Sequence, residues 1–243
     1  MSNSEFWLKV TEIIISALGF GGTICALLFG FRQYQRAEQW KRAEFIAKEI
    51  KEFESDPYVR NAMQMIDWGE RKINLFQMEG LKYDDCVLVN RDKQWRALLP
   101  HTIKEEFPSL FVDSNAEKKK RFTPEETQIR DTYDVFLNYL QRFGNFVEAD
   151  LIDSAELRPY LFYWLQSIAE GDLSKDEDSA GDIAWRCALL CYINFYNFNP
   201  IISLFQNLGF DISPRGIMLK QLEGKIEDKS LCVKLMGTIQ PIT

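Results

Sequence analysis

The stretch from Thr123 to Val147, TPEETQIRDTYDVFLNYLQRFGNFV, carries the clearest helix signal in the chain. Thr123, followed at once by Pro124 and three residues later by Glu126, forms a capping box. In such a box the threonine and glutamate side chains each accept a hydrogen bond from a backbone N–H at the helix start. Apolar residues then recur every three or four positions, the period of an amphipathic helix: Ile129, Tyr133, Phe136, Leu137, Leu140, Phe143 and Val147. The stretch predicts a long helix whose aromatic face belongs to a protein core.

Similar start and stop signals on both sides predict further helices. Asp, Asn or Ser stands at three of the starts, before Pro at two of them, and Gly or Pro stands at four of the ends. The predicted segments run from Asp56-Pro57 to near Gly69, from 94 to 99 before Pro100, from Asp153 or Ser154 to Gly171, from 183 to 196, and from Asn199-Pro200 to Gly209. Residues 86–89, CVLV, fit either a helix start or a brief strand. Together these segments predict an all-α fold, a bundle with short connections.

The segment from Ile13 to Phe31, IIISALGFGGTICALLFGF, has no charged residue. As a helix it would rise about 28 Å, close to the thickness of the hydrocarbon core of a bilayer. A cleaved signal peptide would have a basic start, a shorter apolar core and a small-residue cleavage site, which FRQYQ at 31–35 does not offer. Its four glycines make a poor helix for a water-soluble core, whereas transmembrane helices tolerate glycine. The segment therefore predicts one transmembrane helix.

Charges on the two sides of this segment predict its orientation. One base, Lys9, precedes it, whereas six follow within residues 32–51: Arg32, Arg36, Lys41, Arg42, Lys48 and Lys51. The positive-inside rule then places the N-terminus outside and the bulk of the chain in the cytoplasm, at the inner membrane of a cell. The predicted organisation is an N-terminal flank and span at 1–31, a basic helical stalk at 32–54, a cytoplasmic helical domain at 55–210 and a C-terminal tail at 211–243.

Composition limits the function classes. The 243 residues carry a net charge of −7, which argues against broad nucleic-acid binding because that function favours basic surfaces. Cys187 and Cys191 share a helix face but lack two further ligands nearby. We therefore expect two small reduced thiols in a core, in a reducing cytoplasm, rather than a zinc site. With no glycine-rich phosphate loop or Walker motif in the sequence, we predict no cofactor and no metal.

The predicted span also has a small, partly polar face. Its members fall within an arc of about 80° when the helix turns 100° per residue: Glu12, Ser16, Gly19, Thr23, Ala26 and Gly30. Small residues permit close approach of two helices in lipid, so this face predicts self-association into a homo-oligomer. A ring of copies could also line a narrow pore. The plain alternative is a monomeric anchor with an ordinary content of small residues.

Residues 96–101, RALLPH, contain the one histidine of the chain. Arg96 and His101 have the R-x4-H spacing of the HEPN ribonucleases, a helical family in which an arginine and a histidine at a helix end act on RNA. A histidine can transfer a proton and an arginine can stabilise charge on a phosphate. Pro100, however, would break the helix expected to carry the motif. The alternative is a histidine at a helix end that caps carbonyls or lies in a loop.

The order of features, one N-terminal span, a basic helical stalk and then a helical domain, resembles a group of uncharacterised bacterial proteins. The residues that carry this resemblance are 31–50 in the stalk and 122–152 and 156–168 in the helical domain. This resemblance covers about a quarter of the chain and implies no chemistry. The same architecture with Arg96 and His101 also resembles the small membrane proteins that accompany RNA-targeting CRISPR effectors. Those proteins join one N-terminal span to a HEPN-like domain and assemble into membrane pores. That likeness implies a role in antiviral defence.

Two functions are therefore expected. The first is a single-pass interaction protein that lies in the bilayer, self-associates through its span and recruits a cytoplasmic protein partner, with a membrane-perturbing defence effector or pore as one version. The second is a membrane-tethered, metal-independent ribonuclease that uses Arg96 and His101 on RNA. A single histidine and the absence of G-x-S-x-G and H-E-x-x-H motifs favour the protein that is not an enzyme.

Overall fold

The computed structural model describes residues 3–80, 82, 85–99, 122–171 and 180–212, with side chains in the N-terminal part described for Trp7, 20–22 and from 24 onward. The chain divides into two compact units, one ending at Glu49 and the next beginning at Ile50. The described elements, in chain order, are α1 Asn3–Ser55, α2 Pro57–Asp67, β1 Glu70–Ile73, β2 Val87–Asn90, α3 Arg91–Leu98, α4 Pro124–Glu148, α5 Ser154–Glu170, α6 Ala180–Phe195 and α7 Asn199–Asn207. The predicted all-α class is confirmed, with one small sheet added to it.

A single helix, α1, contains both the segment predicted to span a membrane and the segment predicted as a stalk. No helix in the described part of the chain is both long and apolar enough to cross a bilayer. The side chains of residues 13–19 and of Thr23, which belong to the predicted span, lie outside that part. The transmembrane segment therefore remains a prediction. Most of the predicted tail, residues 213–243, also lies outside the described residues.

The first two predicted caps of the second unit are confirmed. Asp56 Oδ1 accepts from the backbone N–H of Tyr58 at 2.8 Å, and Pro57 is the first residue of α2. Thr123 Oγ1 accepts from the N–H of Glu126 at 3.1 Å, and the Glu126 carboxylate accepts from the N–H of Thr123 at 3.0 Å. These bonds satisfy N–H groups that have no partner inside the helix. Helices α2 and α4 therefore begin directly after the cap residues that the sequence indicates.

The ends of α5 and α7 refine the prediction. Of the two candidate caps for α5, Asp153 is the one used, and it accepts from the N–H of Ala155 at 2.9 Å. Gly171 ends α5 with a φ of 91°, a conformation that favours glycine. The predicted cap of α7 was wrong by one residue. Asn199 is the first helical residue there, and Phe198 occupies the cap position without a side-chain hydrogen bond.

The sequence around residues 86–89 allowed either a helix start or a strand, and the structure shows a strand at 87–90. These residues form β2, which pairs antiparallel with β1, with Glu70 opposite Asn90 and Ile73 opposite Val87. The Asn90 side chain then accepts from the N–H of Lys93 at 3.0 Å and starts α3. Because α3 begins within one residue of the strand, the sheet fixes where this short helix lies.

Aromatic side chains form much of the core of the second unit. The ring centroid of Phe53, in the last turn of α1, lies 5.9 Å from that of Phe136 and 5.5 Å from that of Phe143, and all three side chains are buried. Burying one such side chain contributes about 1.5–3 kcal/mol. The aromatic face predicted for α4 is therefore confirmed as core.

Helices α4 and α7 approach each other closely at Gly144. A Cβ placed on this glycine would stand 2.2 Å from the carbonyl oxygen of Pro200. Since no other amino acid lacks a Cβ, glycine is required for this approach.

The expectation for the cysteines was wrong in part. Cys191 is a buried, reduced thiol, but Cys187 is disulfide-bonded. Burial raises the pKa of the Cys191 thiol to about 12. Cys191 therefore belongs to the core as a small apolar side chain rather than as a reactive group.

Candidate functional site

From Phe20 to Phe31, α1 presents an apolar surface. Exposed fractions reach 71% for Phe20, 68% for Leu27 and 66% for Phe29. Leu27 and Phe29 lie on nearly opposite sides of the helix, since each residue turns it by about 100°. The sequence between Glu12 and Arg32 contains no charge. A helix that is apolar on all sides is stable only where its surface is removed from water, in a core or in lipid.

Two members of the predicted small face belong to the described side chains. Ala26 and Gly30 are exposed, and a Cβ on Gly30 would meet no atom within 4 Å. The other four members lie outside the described side chains: Glu12, Ser16, Gly19 and Thr23. The described part of the face thus consists of two small, exposed residues. Small residues let a second helix approach closely in lipid.

Two arginines follow the apolar segment directly. Arg32 and Arg36 are exposed, and neither forms an ion pair with any residue in the described ranges. The first acid beyond the segment, Glu38, lies 4.0 Å from the guanidinium of Arg42. The positive charge nearest the apolar surface is therefore not neutralised by α1 itself.

Of the predicted catalytic pair, Arg96 lies in the last turn of α3, and His101 lies outside the described residues. Arg96 Nη2 is 3.0 Å from Asp92 Oδ2, one turn earlier in the helix. Its Nε is buried and has no hydrogen-bond partner among the described atoms. As predicted, α3 ends before Pro100. The meeting of Arg96 with His101 stays a prediction.

Arg130 of α4 holds the end of α3. Its Nη1 donates to the carbonyl oxygens of Ala97 and Leu99 at 3.3 and 3.2 Å, and its Nη2 donates to Tyr196 Oη at 2.6 Å. The last carbonyls of a helix have no partner within it, so a guanidinium is a natural cap there. The backbone that leads toward His101 is therefore anchored up to Leu99.

A hydrogen-bonded acid lies beside this arginine. Tyr192 Oη donates to Asp134 Oδ1 at 2.6 Å. Burial raises the pKa of Asp134, and the hydrogen bond from Tyr192 and the charge of Arg130 oppose that effect. Burial also raises the pKa of Tyr192, so its phenol stays protonated at neutral pH. Tyr192 is a hydrogen-bond donor here and not a base.

Sequence reasoning missed a buried network around Arg91, the first residue of α3. Arg91 Nε donates to Asp182 Oδ1 at 2.6 Å, while Nη1 and Nη2 donate to the carbonyl oxygens of Met65 and Ile66 at 2.5 and 2.9 Å. These two carbonyls lie at the end of α2. A buried charge is stable only when it is paired and hydrogen-bonded, and Arg91 meets both conditions.

The network continues through aromatic residues. The guanidinium carbon of Arg91 lies 3.9 Å from the ring centre of Trp185, whose Nε1 donates to Tyr133 Oη at 2.9 Å. Tyr133 in turn donates to Gln94 Oε1 at 3.0 Å. Burial raises the pKa of Tyr133, so this phenol stays protonated near neutral pH. The network joins α2, α3, α4 and α6 and positions helices rather than moving protons.

One local signal could have indicated this network. A cation at a helix start is opposed by the helix dipole, so Arg91 in the first turn of α3 implies a partner elsewhere. Nothing local identifies that partner, because Asp182 is 91 residues away.

Comparison with known proteins adds no assignment. No family model matches the chain, and no characterised protein or solved structure is significantly similar to it. Within the described ranges, no cluster of three or more His, Cys, Asp or Glu side chains is arranged to hold a metal ion. The case for a function therefore rests on the chain's own residues.

Proposed function

We propose that α1 anchors this protein in a bilayer and that copies associate there, with the helical second unit in the cytoplasm as a domain that recruits a protein partner. The observation that carries the proposal is the exposed apolar surface from Phe20 to Phe31. A continuous exposed apolar surface marks a membrane or protein contact. The absence of charge on every side of this segment favours lipid over a one-sided protein contact.

Aromatic residues at the two ends of the apolar segment support a bilayer. Trp7 and Tyr34 are both exposed and belong to one helix. Their separation along α1 is about 40 Å at 1.5 Å per residue, which matches a bilayer with its headgroups. Tryptophan and tyrosine are enriched at both membrane interfaces. The basic residues after Phe31 favour the cytoplasm for the second unit, whereas the disulfide at Cys187 is a bond that a reducing cytoplasm disfavours.

The open face at Ala26 and Gly30 supports self-association. Helices in lipid associate where small residues let their backbones approach, and no described atom lies within 4 Å of a Cβ placed on Gly30. A membrane-perturbing effector or a pore in cellular defence is the most concrete version of such an assembly.

Membrane extraction tests the anchor with the full-length chain. We expect the wild-type protein to remain in bacterial membranes after alkaline carbonate treatment. The double variant Ile24→Arg/Leu27→Arg should leave the membrane fraction, because each charge at the centre of a span costs about 2.5–3.5 kcal/mol. The variant Gln35→Arg/Gln39→Arg adds the same charges beyond the apolar segment and should stay in the membrane. Release of the wild-type protein by carbonate would overturn the proposal.

A second candidate is a membrane-tethered ribonuclease that uses Arg96 and His101. The observation that favours it is the buried Nε of Arg96, which has no hydrogen-bond partner in the described part of the chain, close before His101 in sequence. The purified protein should then cut RNA in the presence of EDTA, and His101→Ala and Arg96→Gln should each abolish the cutting. Equal cutting by His101→Ala and the wild type would end this candidate.

A further inference from the structure

Arg32 and Arg36 form a cationic face immediately beyond the apolar segment of α1. We propose that this pair binds the phosphate groups of anionic phospholipids, so that the protein gathers acidic lipid around its anchor. The inference rests on the proposed anchoring of α1 in a bilayer.

The spacing of the two arginines suits a shared anion. Residues four apart lie on one face of a helix, with Cβ atoms about 5–6 Å apart. Two cations at this spacing repel each other, and an anion between them converts that repulsion into attraction. The helix supplies no such anion, because residues 13–37 contain no Asp or Glu and Glu38 lies 4.0 Å from Arg42. The positive charge of Arg32 and Arg36 is therefore not balanced by an acidic side chain of the neighbouring turns.

The depth of the pair points to lipid. Along the helix axis, Arg32 lies about 1.5 Å and Arg36 about 7.5 Å beyond Phe31. The headgroup layer is about 5–7 Å thick on each side of the hydrocarbon core, so both guanidinium groups reach it. Lys41 and Lys48 lie about 15 and 25 Å beyond Phe31, farther than the Debye length of about 8 Å at physiological salt. The basic residues of α1 beyond Phe31 thus divide into a pair at the headgroups, Arg32 and Arg36, and a remote group that begins at Lys41.

Arginine is also the suitable residue type for this ligand. Its planar guanidinium can donate two parallel hydrogen bonds to phosphate oxygens, which a lysine ammonium cannot do. A basic residue near an anionic surface strengthens binding by about fivefold. Two such residues therefore predict a preference of about 30-fold for an anionic over a zwitterionic lipid.

The test compares how strongly an anionic and a zwitterionic lipid bind to the full-length protein. Delipidated protein in detergent is titrated with phosphatidylglycerol or phosphatidylcholine, and bound lipid is counted by native mass spectrometry. We expect the wild type to prefer phosphatidylglycerol by about 30-fold. The variant Arg32→Gln/Arg36→Gln should bind the two lipids about equally. The variant Lys41→Gln/Lys48→Gln removes the same charge and should keep the wild-type preference.

A preceding step separates the two proposals. Wild-type protein is first reconstituted into vesicles of pure phosphatidylcholine, and failure to enter them would overturn both the anchor and the lipid preference. If the protein enters but the arginine variant keeps the wild-type preference, only the lipid inference is overturned. Equal loss of preference in the lysine variant would overturn it as well, because the effect would then be one of net charge.

Discussion

Gly144 of α4 lies directly against the backbone of Pro200 on α7. A Cβ on Gly144 would stand 2.2 Å from the Pro200 oxygen and 2.6 Å from its carbonyl carbon. Both atoms belong to the backbone and cannot rotate away. We expect Gly144→Ala to lower the free energy of unfolding by about 1–3 kcal/mol, the usual cost of overpacking.

Urea denaturation monitored by circular dichroism measures this loss. Asn145→Ala changes the adjacent, exposed position and should alter the free energy of unfolding by less than about 0.5 kcal/mol. Equal stability of the two variants would contradict the close approach of α4 and α7.

Removal of the Arg91 side chain should be costly. The Arg91–Asp182 pair has side chains only 10% and 14% exposed, so Arg91→Gln would leave a carboxylate with little water and two helix carbonyls without their donor. We expect a loss of about 3 kcal/mol or more in the free energy of unfolding.

The matched control for this loss is Arg142→Gln. Arg142 and Glu52 lie 3.1 Å apart, but their side chains are 37% and 47% exposed. An exposed pair contributes at most about 1 kcal/mol, so this variant should remain close to the wild type. If the two arginine variants unfold at the same urea concentration, the buried network does not stabilise the fold as described.

Asp134 should leave a signature in the pH dependence of stability. Burial raises its pKa above the ordinary value of 3.8 in the folded protein. The native state therefore holds this proton more tightly than the unfolded chain does. The resulting stabilisation is fully present below about pH 3.8 and is lost as pH rises through the raised pKa.

Comparison with Asp134→Asn isolates this contribution. The free energy of unfolding of the wild type minus that of the variant should fall as pH rises from about 3.8, and should level off above the raised pKa. Urea titrations at a series of pH values give this difference. A difference that grows with pH would mean that Tyr192 and Arg130 outweigh burial at this carboxyl.

Two glycine substitutions test the small face of α1. Gly30 belongs to that face, while Gly21 lies on the opposite side, because the nine intervening steps turn the helix by about 180°. A Cβ at either glycine would meet no atom of the described residues within 4 Å. We expect Gly30→Leu to disrupt the oligomer in detergent and Gly21→Leu to leave it intact.

Light scattering of the full-length protein gives the oligomeric mass. The wild type and Gly21→Leu should exceed the 28.4 kDa of one chain. A wild type that already has the mass of one chain would remove self-association from the proposal.

Cys191 should be inert in the folded protein. Burial raises the pKa of its thiol to about 12, so only about one molecule in 10,000 carries the reactive thiolate at pH 8. Iodoacetamide should leave Cys191 unmodified until urea unfolds the chain. Cys86 is partly exposed, and it should react in the native state as the internal reference. Peptide mass spectrometry measures the labelling of both cysteines. If Cys191 in the native protein were labelled as fast as Cys86, its thiol would be accessible to solvent and the prediction would be wrong.

Local chemistry made the starts of α2, α4 and α5 predictable. A cap depends on residues within three positions of each other, so Asp56 and Thr123 could be identified as caps from the sequence alone. The aromatic face of α4 was equally evident, because helical periodicity reports burial directly. The apolar segment of α1 is evident in the sequence from its length and its lack of charge, and its crossing of a membrane stays a prediction.

Long-range pairing was not predictable in this way. Strands of four residues, such as β1 and β2, are too short for periodicity to separate from a helix turn. The Arg91–Asp182 pair depends on the packing of α3 against α6, which no local pattern encodes. The pairing of Arg96 with Asp92 follows the ordinary i, i+4 rule, so that contact could have been predicted from the sequence.

The Arg91 network also constrains when the second unit can fold. Its counter-charge, Asp182, is 91 residues closer to the C-terminus and leaves the ribosome that much later. Until then, docking α3 against the end of α2 would bury a guanidinium without its carboxylate, at a cost of several kcal/mol. We therefore expect α3 to dock against the end of α2 only after α6 has emerged. We expect completion of the core to be a late event during synthesis, with the nascent chain accessible to chaperones and proteases until that point.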